Sequence, residues 1–376
     1  MKQKLDYIAR RLEELKRQNL YRSLRSAKVS GPFITINSKK LVNFCSNDYL
    51  GLSNWKIRPT QLQSSSRLVS GNDESFKKLE KKLASHKSQE SSLVFPTGYM
   101  ANLGAISAVA QKGDTIFSDE LNHSSIIEAC KLSGAKVQIY RHNDVEDLSK
   151  KASKAKNRKF IITEGIFSMD GDFARLKEIS EIADKTNSIL IIDDAHGDFT
   201  VGRDGKGTPA HFGVEKKIDI YTSSMSKGLG AFGGYVASSG RVVDFCINRA
   251  RSFIYTSALP SFLVELSLSR LTQNRQKHQK KLQQNTTLLS SGLKQIGYDI
   301  KSQTHIIPII VGDEKKTLEF GKFIYDNGIF AQPIRYPTVP KKSARLRVSV
   351  TAWLSEKHIE NALMVFEKAG KKFDLV

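Results

Sequence analysis

Cysteine is scarce in this chain. Three stand in 376 residues, Cys45, Cys130 and Cys246, odd in number and far apart. That spacing excludes a disulfide framework, offers no clustered ligands for a metal and suits a reducing compartment. Acidic residues are also in deficit, 38 Asp and Glu against 59 Lys and Arg, for a formal net charge of +21. No apolar run approaches the roughly 20 residues needed to span a bilayer, so no membrane segment is expected. The N-terminal "MKQKLDYIARRLEELKRQ" reads as a charged amphipathic helix without an apolar signal core. A cytoplasmic protein is expected. Asn285 opens an N-x-T sequon, which carries no weight without an export signal. No internal repeat or low-complexity linker appears.

The cationic surplus raises the question of nucleic acid. The lysines lie in "KKLEKK", "KKASKAKNRK" and "KHQKK", mixed with glutamate or glutamine on helix-like stretches. Arginine is not interleaved with aromatics, and no zinc-finger spacing occurs. A solvated surface that steers anions is the reading these patterns support, with no nucleic-acid partner.

What is present is an α/β pattern. "GPFITINSKKLVNFCSND" has the turn residues and short apolar alternation of a β-hairpin. "SSLVF" leads into a helical run from Tyr99 to Gln111. Five short stretches, "TIFSD", "VQIYR", "FIITEG", "ILIIDD" and "IDIYTSS", then read as buried strands between helices. Apolar strands alternating with helices predict a mostly parallel sheet covered on both faces, with ligands beyond the carboxyl ends of its strands. From about residue 266 a long polar helix, "SRLTQNRQKHQKKLQQNTTLLSSGLKQIG", leads to an α+β unit containing "IIPIIVG", a helix near Leu318 to Asn327, "RLRVSV" and a final helix. The expected division is an N-terminal helix and hairpin over 1–45, a large domain over 46–265 and a small C-terminal domain over 266–376.

Polar residues gather at the expected strand ends. Lys227 stands between small residues in "SMSKG", ahead of the pair Gly233-Gly234. It is either a solvated loop lysine or an amine confined near a carbonyl, as Schiff-base chemistry requires. Asp193, Asp194 and His196 follow a strand in "IIDDAHGD", where an aspartate caps a helix or holds a basic ring nitrogen. His123 in "FSDELNHSS" is either a structural loop residue or a flat ring that stacks on a flat ligand. Thr97-Gly98-Tyr99 at a helix start is an ordinary N-cap or a set of N–H groups for phosphate. Ser168 and the Asp170-Gly171 turn lie in "TEGIFSMDGD". An anion site, a stacking ring, a carboxylate for a ring nitrogen and a lysine for an aldehyde together describe pyridoxal phosphate, PLP.

These motifs carry a resemblance. "NFCSNDYLGLS", "LNHSS", "TEGIFSMDGD", "DDAHG" and "SMSKG" with its following glycine pair occur in the order found in the α-oxoamine synthases. The chain is similar to that family over nearly its whole length. The resemblance implies PLP-dependent fold type I, a large α/β domain with a smaller α+β domain. It implies decarboxylative condensation of an amino acid with an acyl thioester. By position it implies that Lys227 bonds the cofactor, Asp193 pairs with the pyridinium nitrogen, His196 meets O3′ and His123 stacks on the ring. Gly98, Tyr99 and Ser224 then approach the phosphate, with Ser168 beside the ring oxygen. Arg347 and Asn47 face the amino-acid carboxylate, and Arg22 meets the acyl substrate. Ser257 reaches the phosphate of a neighbouring subunit, so a homodimer with shared sites is implied.

Within the family, "SSRLVSGN" at Ser65 to Asn72 looks most like the members that join L-alanine to a pimeloyl thioester, carried on coenzyme A or acyl carrier protein, in biotin synthesis. Glycine with an acetyl thioester, or the substrate pair of another member of the family, is the alternative. Ser224 replaces a usual threonine, "QLQSS" replaces a glycine-rich run, and two histidines expected near Phe76 and at Trp353-Leu354 are absent. These departures bear on the acyl chain and loops and leave the PLP residues intact.

Overall fold

The five stretches read as buried strands all form strands in a computed structural model of the chain, which describes residues 6–21, 26–53 and 65–376. In chain order, α1 (Asp6–Arg17) precedes β1 (Ala27–Ser30), β2 (Phe33–Ile36), β3 (Lys39–Asn43), α2 (Glu74–Lys87), β4 (Ser91–Phe95), α3 (Gly98–Val109), β5 (Thr115–Asp119), α4 (Ser124–Ser133) and β6 (Lys136–Tyr140). Next come α5 (Val145–Ala152), β7 (Lys159–Glu164), α6 (Leu176–Thr186), β8 (Ser188–Asp193), α7 (Thr208–Phe212), β9 (Ile220–Ser224), β10 (Gly234–Ser238), α8 (Gly240–Arg249), α9 (Arg251–Ile254) and α10 (Ser261–Thr272). The remainder is α11 (Gln276–Ile296), β11 (Ile306–Gly312), α12 (Glu314–Asp326), β12 (Ile329–Phe330), β13 (Gln332–Ile334), β14 (Ala344–Ser349) and α13 (Glu356–Lys372). The chain forms two compact units, a larger one of Asn47–Ser168 and Asp172–Leu282 and a smaller one of Met1–Ser46, Met169–Gly171 and Gln283–Val376.

The larger unit is built on a seven-stranded sheet in the order β4-β10-β9-β8-β7-β5-β6. Strands β5 to β9 are parallel, and β10 alone runs antiparallel to its neighbours β4 and β9. Side chains alternate across the pleat. Phe160, Ile162, Ile191, Ile220 and Val236 pack on one face with α3, α4 and α8. Ile161, Leu190, Ile192, Tyr221 and Tyr235 pack on the other with α2 and α6. Burial on both faces explains why these strands read as continuous apolar runs.

Three local features differ from the sequence reading. The "VQIYR" strand, β6, is an edge strand rather than a buried one, with Val137 and Ile139 exposed. Lys151 Nζ donates to the Ile139 carbonyl at 2.7 Å and blunts that edge. Next, the pair Gly233-Gly234, given no element in the sequence reading, straddles a strand start: Gly234 opens the fully buried strand β10. Finally, the long polar helix is two helices. Asn274 Oδ1 accepts the Gln276 N–H at 3.0 Å and starts α11. Arg275 Nη1 donates to the carbonyls of Arg270 and Leu271 at 3.0 and 2.7 Å and closes α10. Side-chain bonds to the orphan groups of two helix ends outweigh the continuous helical periodicity.

In the smaller unit, β2 and β3 form the expected hairpin. Its turn residues Asn37 and Ser38 both have positive φ, 49° and 63°, the backbone that suits a two-residue hairpin loop. β12 pairs parallel to β3, so residues 287 positions apart share a sheet (Ile329 with Val42, Phe330 with Asn43). β11, β14 and β13 form an antiparallel sheet. Residues 169–171 join this unit: Arg345 Nη1 donates to Asp170 Oδ1 at 2.6 Å, and Thr304 Oγ1 donates to the Gly171 carbonyl at 2.8 Å. Gly171 has φ +68°, and a Cβ there would lie 1.9 Å from the Ile306 carbonyl, so only glycine fits. Asn285, the sequon residue, is buried with its amide bonded to the carbonyls of Thr351 and Leu354.

One ion network in the larger unit sets a pH dependence. His142 places Nδ1 2.9 Å from Asp119 Oδ1 and Nε2 2.9 Å from Asp172 Oδ2. Burial opposes its charge, but the hydrogen bonds and charges of the two carboxylates prevail and raise its pKa from 6.5 to about 10. The folded pKa lies above the unfolded one, so the stabilisation is complete below pH 6.5 and is lost as pH rises through about 10. His142→Gln, neutral at every pH, should cost about 2–3 kcal/mol at pH 6. Urea titrations at pH 6 and pH 10 should show that gap shrinking at the higher pH.

Candidate active site at the carboxyl edge of the larger sheet

Three adjacent parallel strands end in polar residues: Glu164 on β7, Asp193 on β8 and Ser224 on β9. Glu164 and Asp193 are register partners, so they project to the same face, the one covered by α3 and α4. Asp193 is buried. Its Oδ2 accepts from Asn102 Nδ2 at 2.6 Å and its Oδ1 from the Ala195 N–H at 3.0 Å, both neutral donors. Thr222 Oγ1 donates to Asn102 Oδ1 at 2.6 Å, which turns the amide's NH2 toward Asp193.

Asp194 faces the opposite way. It accepts from Lys87 Nζ at 3.0 Å and from Thr208 Oγ1 at 2.7 Å. Lys87 also sits 2.7 Å from Asp198 Oδ1, and His86 Nε2 and Ser223 Oγ contact the same carboxylate at 2.9 and 2.8 Å. Burial works against charge on Lys87, but Asp198 and Asp194 outweigh it and hold the ammonium above its ordinary pKa. The Asp194 carboxyl is pushed up to about 6 by burial, with Lys87 opposing. Of two adjacent aspartates, Asp194 is committed to this buried network and Asp193 is left on the site face.

Between the two anchored aspartates lies His196. Its Nε2 is 2.9 Å from Lys227 Nζ and its Nδ1 is 2.7 Å from the Tyr49 hydroxyl. Tyr49 in turn donates to Asn47 Oδ1 at 3.0 Å. His123 is the N-cap of α4: its Nδ1 accepts the Ser125 N–H at 3.2 Å. Burial lowers its pKa, Lys227 acts in the same direction and Asp193 opposes. The ring keeps solvent access, with Tyr99 edge-on at 6.2 Å between centroids.

The start of α3 closes the group. Thr97 caps it through the Met100 N–H at 3.1 Å. A Cβ on Gly98 would lie 2.9 Å from Ser224 Cβ, and one on Gly234 would lie 2.4 Å from the Gly98 nitrogen. The first N–H groups of the helix, which have no intrahelical acceptor, are therefore walled by glycine and serine. This edge brings together an anion-suited helix start, two buried acids, a lysine–imidazole pair and a capped histidine.

Comparison with known proteins follows the same lines. The model of aminotransferase class I and II matches residues 39–366. The chain belongs to that family. Within it, the chain is 41% identical over 389 aligned residues to 8-amino-7-oxononanoate synthase of Thermoanaerobacter pseudethanolicus, covering 99% of this chain and 98% of that protein. The corresponding enzyme of Citrifermentans bemidjiense is 39% identical, with 98% and 99% covered. Among solved structures, serine palmitoyltransferase from S. paucimobilis with a bound PLP–myriocin aldimine matches with TM-score 0.91 and 26% identity over 100% and 99% of the two chains. The 8-amino-7-oxononanoate synthase of Francisella tularensis matches with TM-score 0.75 and 26% identity over 89% and 99%. The resemblance to the α-oxoamine synthases and the type I fold both hold.

In this family member, the remaining sequence-derived residues are placed as follows. Ser168 is half-buried beyond β7, and Ser257 is exposed after α9, in a cavity wall with Arg67 and Phe253. Arg347 lies on β14 of the smaller unit, where Nη1 donates to Ser349 Oγ at 2.8 Å. There burial pushes the Cys45 thiol up to about 12 with Arg347 opposing, and burial lowers His305 to about 3 with Arg347 adding. Arg22 lies outside the described residues.

Two residues escaped the sequence reading. Glu164 sits in "TEGIFSMDGD", where an acid ending an apolar strand was the available signal. It is buried, its Oε1 has no hydrogen-bond partner among the described residues, and burial with the Asp193 charge raises its pKa well above the carboxylate range. Tyr49 sits two residues beyond Asn47, fully buried, and only the fold shows that it meets His196. Removing the charge that anchors the His196 loop gives a direct test. Lys87→Met leaves two buried carboxylates uncompensated and should cost about 3–5 kcal/mol of stability in urea unfolding.

Proposed function

We propose that this protein is an 8-amino-7-oxononanoate synthase. It condenses L-alanine with a pimeloyl thioester, on coenzyme A or acyl carrier protein, and releases carbon dioxide and the thiol, a step of biotin biosynthesis. The observation that carries the reading is Lys227 paired with His196 beside Asp193, in a chain 41% identical to such a synthase along its whole length.

The residues present fit PLP. Glu164 Oε1 is a buried polar atom without a partner among the described residues, and Gly98 and Gly234 leave a cradle that side chains would fill. Lys227 holds the cofactor aldehyde, Asp193 its ring nitrogen, His196 its O3′ and His123 its ring face. Gly98, Tyr99 and Ser224 hold the phosphate, with Ser168 beside the ring. Bound there, PLP supplies an electron sink for the carbon that bears the substrate's amino group. Asp193, which accepts from the neutral donors Asn102 Nδ2 and the Ala195 N–H, would accept from the ring nitrogen as well. Lys227 Nζ takes the proton from alanine Cα and returns one after carbon dioxide leaves. Arg347 and Asn47 bind the alanine carboxylate, and Arg22 meets the pimeloyl chain.

Ser257, exposed in this chain, completes the phosphate site of a second copy, so the working form is a homodimer. No helix among the described residues is long and apolar enough to cross a membrane, in keeping with a cytoplasmic enzyme. The surplus of lysine and arginine steers the anionic thioester carrier.

Three measurements test this reading. Borohydride reduction and peptide mass mapping should place the pyridoxyl group on Lys227, and label elsewhere removes the assignment. Asp193→Asn should retain PLP yet lose at least about 100-fold in turnover, roughly 3 kcal/mol of barrier. In a matrix of alanine, glycine and serine against pimeloyl, acetyl and palmitoyl thioesters, alanine with pimeloyl should give the highest kcat/KM. Faster turnover of glycine with acetyl-coenzyme A would move the protein to glycine C-acetyltransferase.

A further inference from the structure

Four side chains stand in a line at the site: Lys227, His196, Tyr49 and Asn47, with successive separations of 2.9, 2.7 and 3.0 Å. Their hydrogen-bonding capacities fix one direction along it. A lysine ammonium donates and cannot accept. His196 Nε2 facing it must therefore be the unprotonated nitrogen, and the ring proton must sit on Nδ1. A protonated Nδ1 donates to the Tyr49 oxygen, which leaves the Tyr49 proton to go to Asn47 Oδ1, an acceptor. Every donor in the chain has an acceptor, and the ammonium at one end and the Asn47 carbonyl at the other favour the same order.

We propose that Tyr49 and Asn47 are positioning residues that lock His196 in its Nδ1–H form, so that Nε2 accepts the proton Lys227 must shed before its amine can attack an aldehyde. The inference rests on Lys227 being the cofactor lysine. The step balances: Lys227 Nζ passes from ammonium to free amine, His196 passes from imidazole to imidazolium, and no electrons change hands. The bond a histidine makes through one nitrogen decides what the other can do. Tyr49 is fully buried, as is His196 nearly so, so water does not substitute for the phenol. The His196 loop itself is immobilised by the bonds of Asp194 and Asp198 on either side. The phenol therefore meets a ring held in place 2.7 Å away.

Tyr49→Phe keeps the ring and removes the acceptor. The test uses the full-length protein labelled with 15N-histidine and freed of cofactor. Its eight histidines give few signals, and His196→Gln identifies the relevant pair. Wild type should show His196 protonated at Nδ1 and bare at Nε2, and Tyr49→Phe should shift population toward Nε2–H. Stopped-flow absorbance should show PLP loading of Tyr49→Phe slowed about tenfold at neutral pH, less than the roughly 10²–10⁴ that a whole general base supplies. Asn47→Asp, which still accepts from Tyr49, should keep the wild-type nitrogen pattern, whereas Asn47→Leu should behave like Tyr49→Phe. A wild-type His196 protonated at Nε2 overturns the proposal even if the variants fail to fold. An unchanged nitrogen pattern or an unchanged loading rate in a folded Tyr49→Phe overturns it as well. Borohydride mapping of the same samples separates the two readings: label on another lysine removes the function assigned to Lys227 and leaves the nitrogen spectra as they are.

Discussion

A single buried ammonium, Lys87, bridges Asp194 and Asp198 at 3.0 and 2.7 Å. Taking three charges out of water is costly, and the arrangement persists only because each has a close partner of opposite sign and further hydrogen bonds from Thr208, Ser223 and His86. Its consequence is geometric. The two aspartates flank His196, so the bridge fixes the loop that carries the imidazole to Lys227. It also removes Asp194 from the site and leaves Asp193 alone to face α3.

The site is therefore a layered construction. The parallel sheet delivers Glu164, Asp193 and Ser224 to one edge: Glu164 and Asp193 end in register, and β9 runs two residues past Thr222, the partner of Asp193, to Ser224 on the same face. The neutral amide of Asn102, itself held by Thr222 and Ser125, then orients the buried Asp193. Ion pairing is kept on the far face of the sheet. Two carboxylates share one face in different surroundings: burial and the neighbouring Asp193 push the Glu164 carboxyl well above the usual carboxylate range. Divergent environments for paired acids are a recurring feature of catalytic sites.

Likeness of fold and likeness of substrate separate here. The solved structures that superpose with TM-scores of 0.91 and 0.92 are serine palmitoyltransferases at 26–28% identity, while the 41% identical relative is an 8-amino-7-oxononanoate synthase. One fold therefore carries proteins of both names. One methyl group distinguishes alanine from glycine, worth about 1–3 kcal/mol in a pocket, and the architecture of the sheet does not register it.

Much of this protein was legible in its amino-acid order. Apolar runs such as those ending at Glu164 and Asp193 must be strands covered on both faces, because no other arrangement buries them, and their polar ends mark the chemistry. The lysine among small residues, the Asp-x-x-His spacing and the capped helix start named the cofactor class, since only a few side chains suit an aldehyde, a pyridine nitrogen and a phosphate. Other features waited for the tertiary structure. Periodicity ran on through Asn274 and Arg275, but the chain breaks there because their side chains reach helix-end groups that sequence does not locate. Gly234 carried no strand signal, though it begins a buried strand at a point where the start of α3 leaves no room for a Cβ. Adjacent Asp193 and Asp194 are chemically identical in the sequence, and only the pleat and the position of Lys87 distinguish them. Tyr49 acquires its partner 147 residues away only when β8 and its loop are in place. Sequence sets which groups exist and which local structure they favour. Which atoms meet depends on the direction each side chain takes once its neighbours are packed.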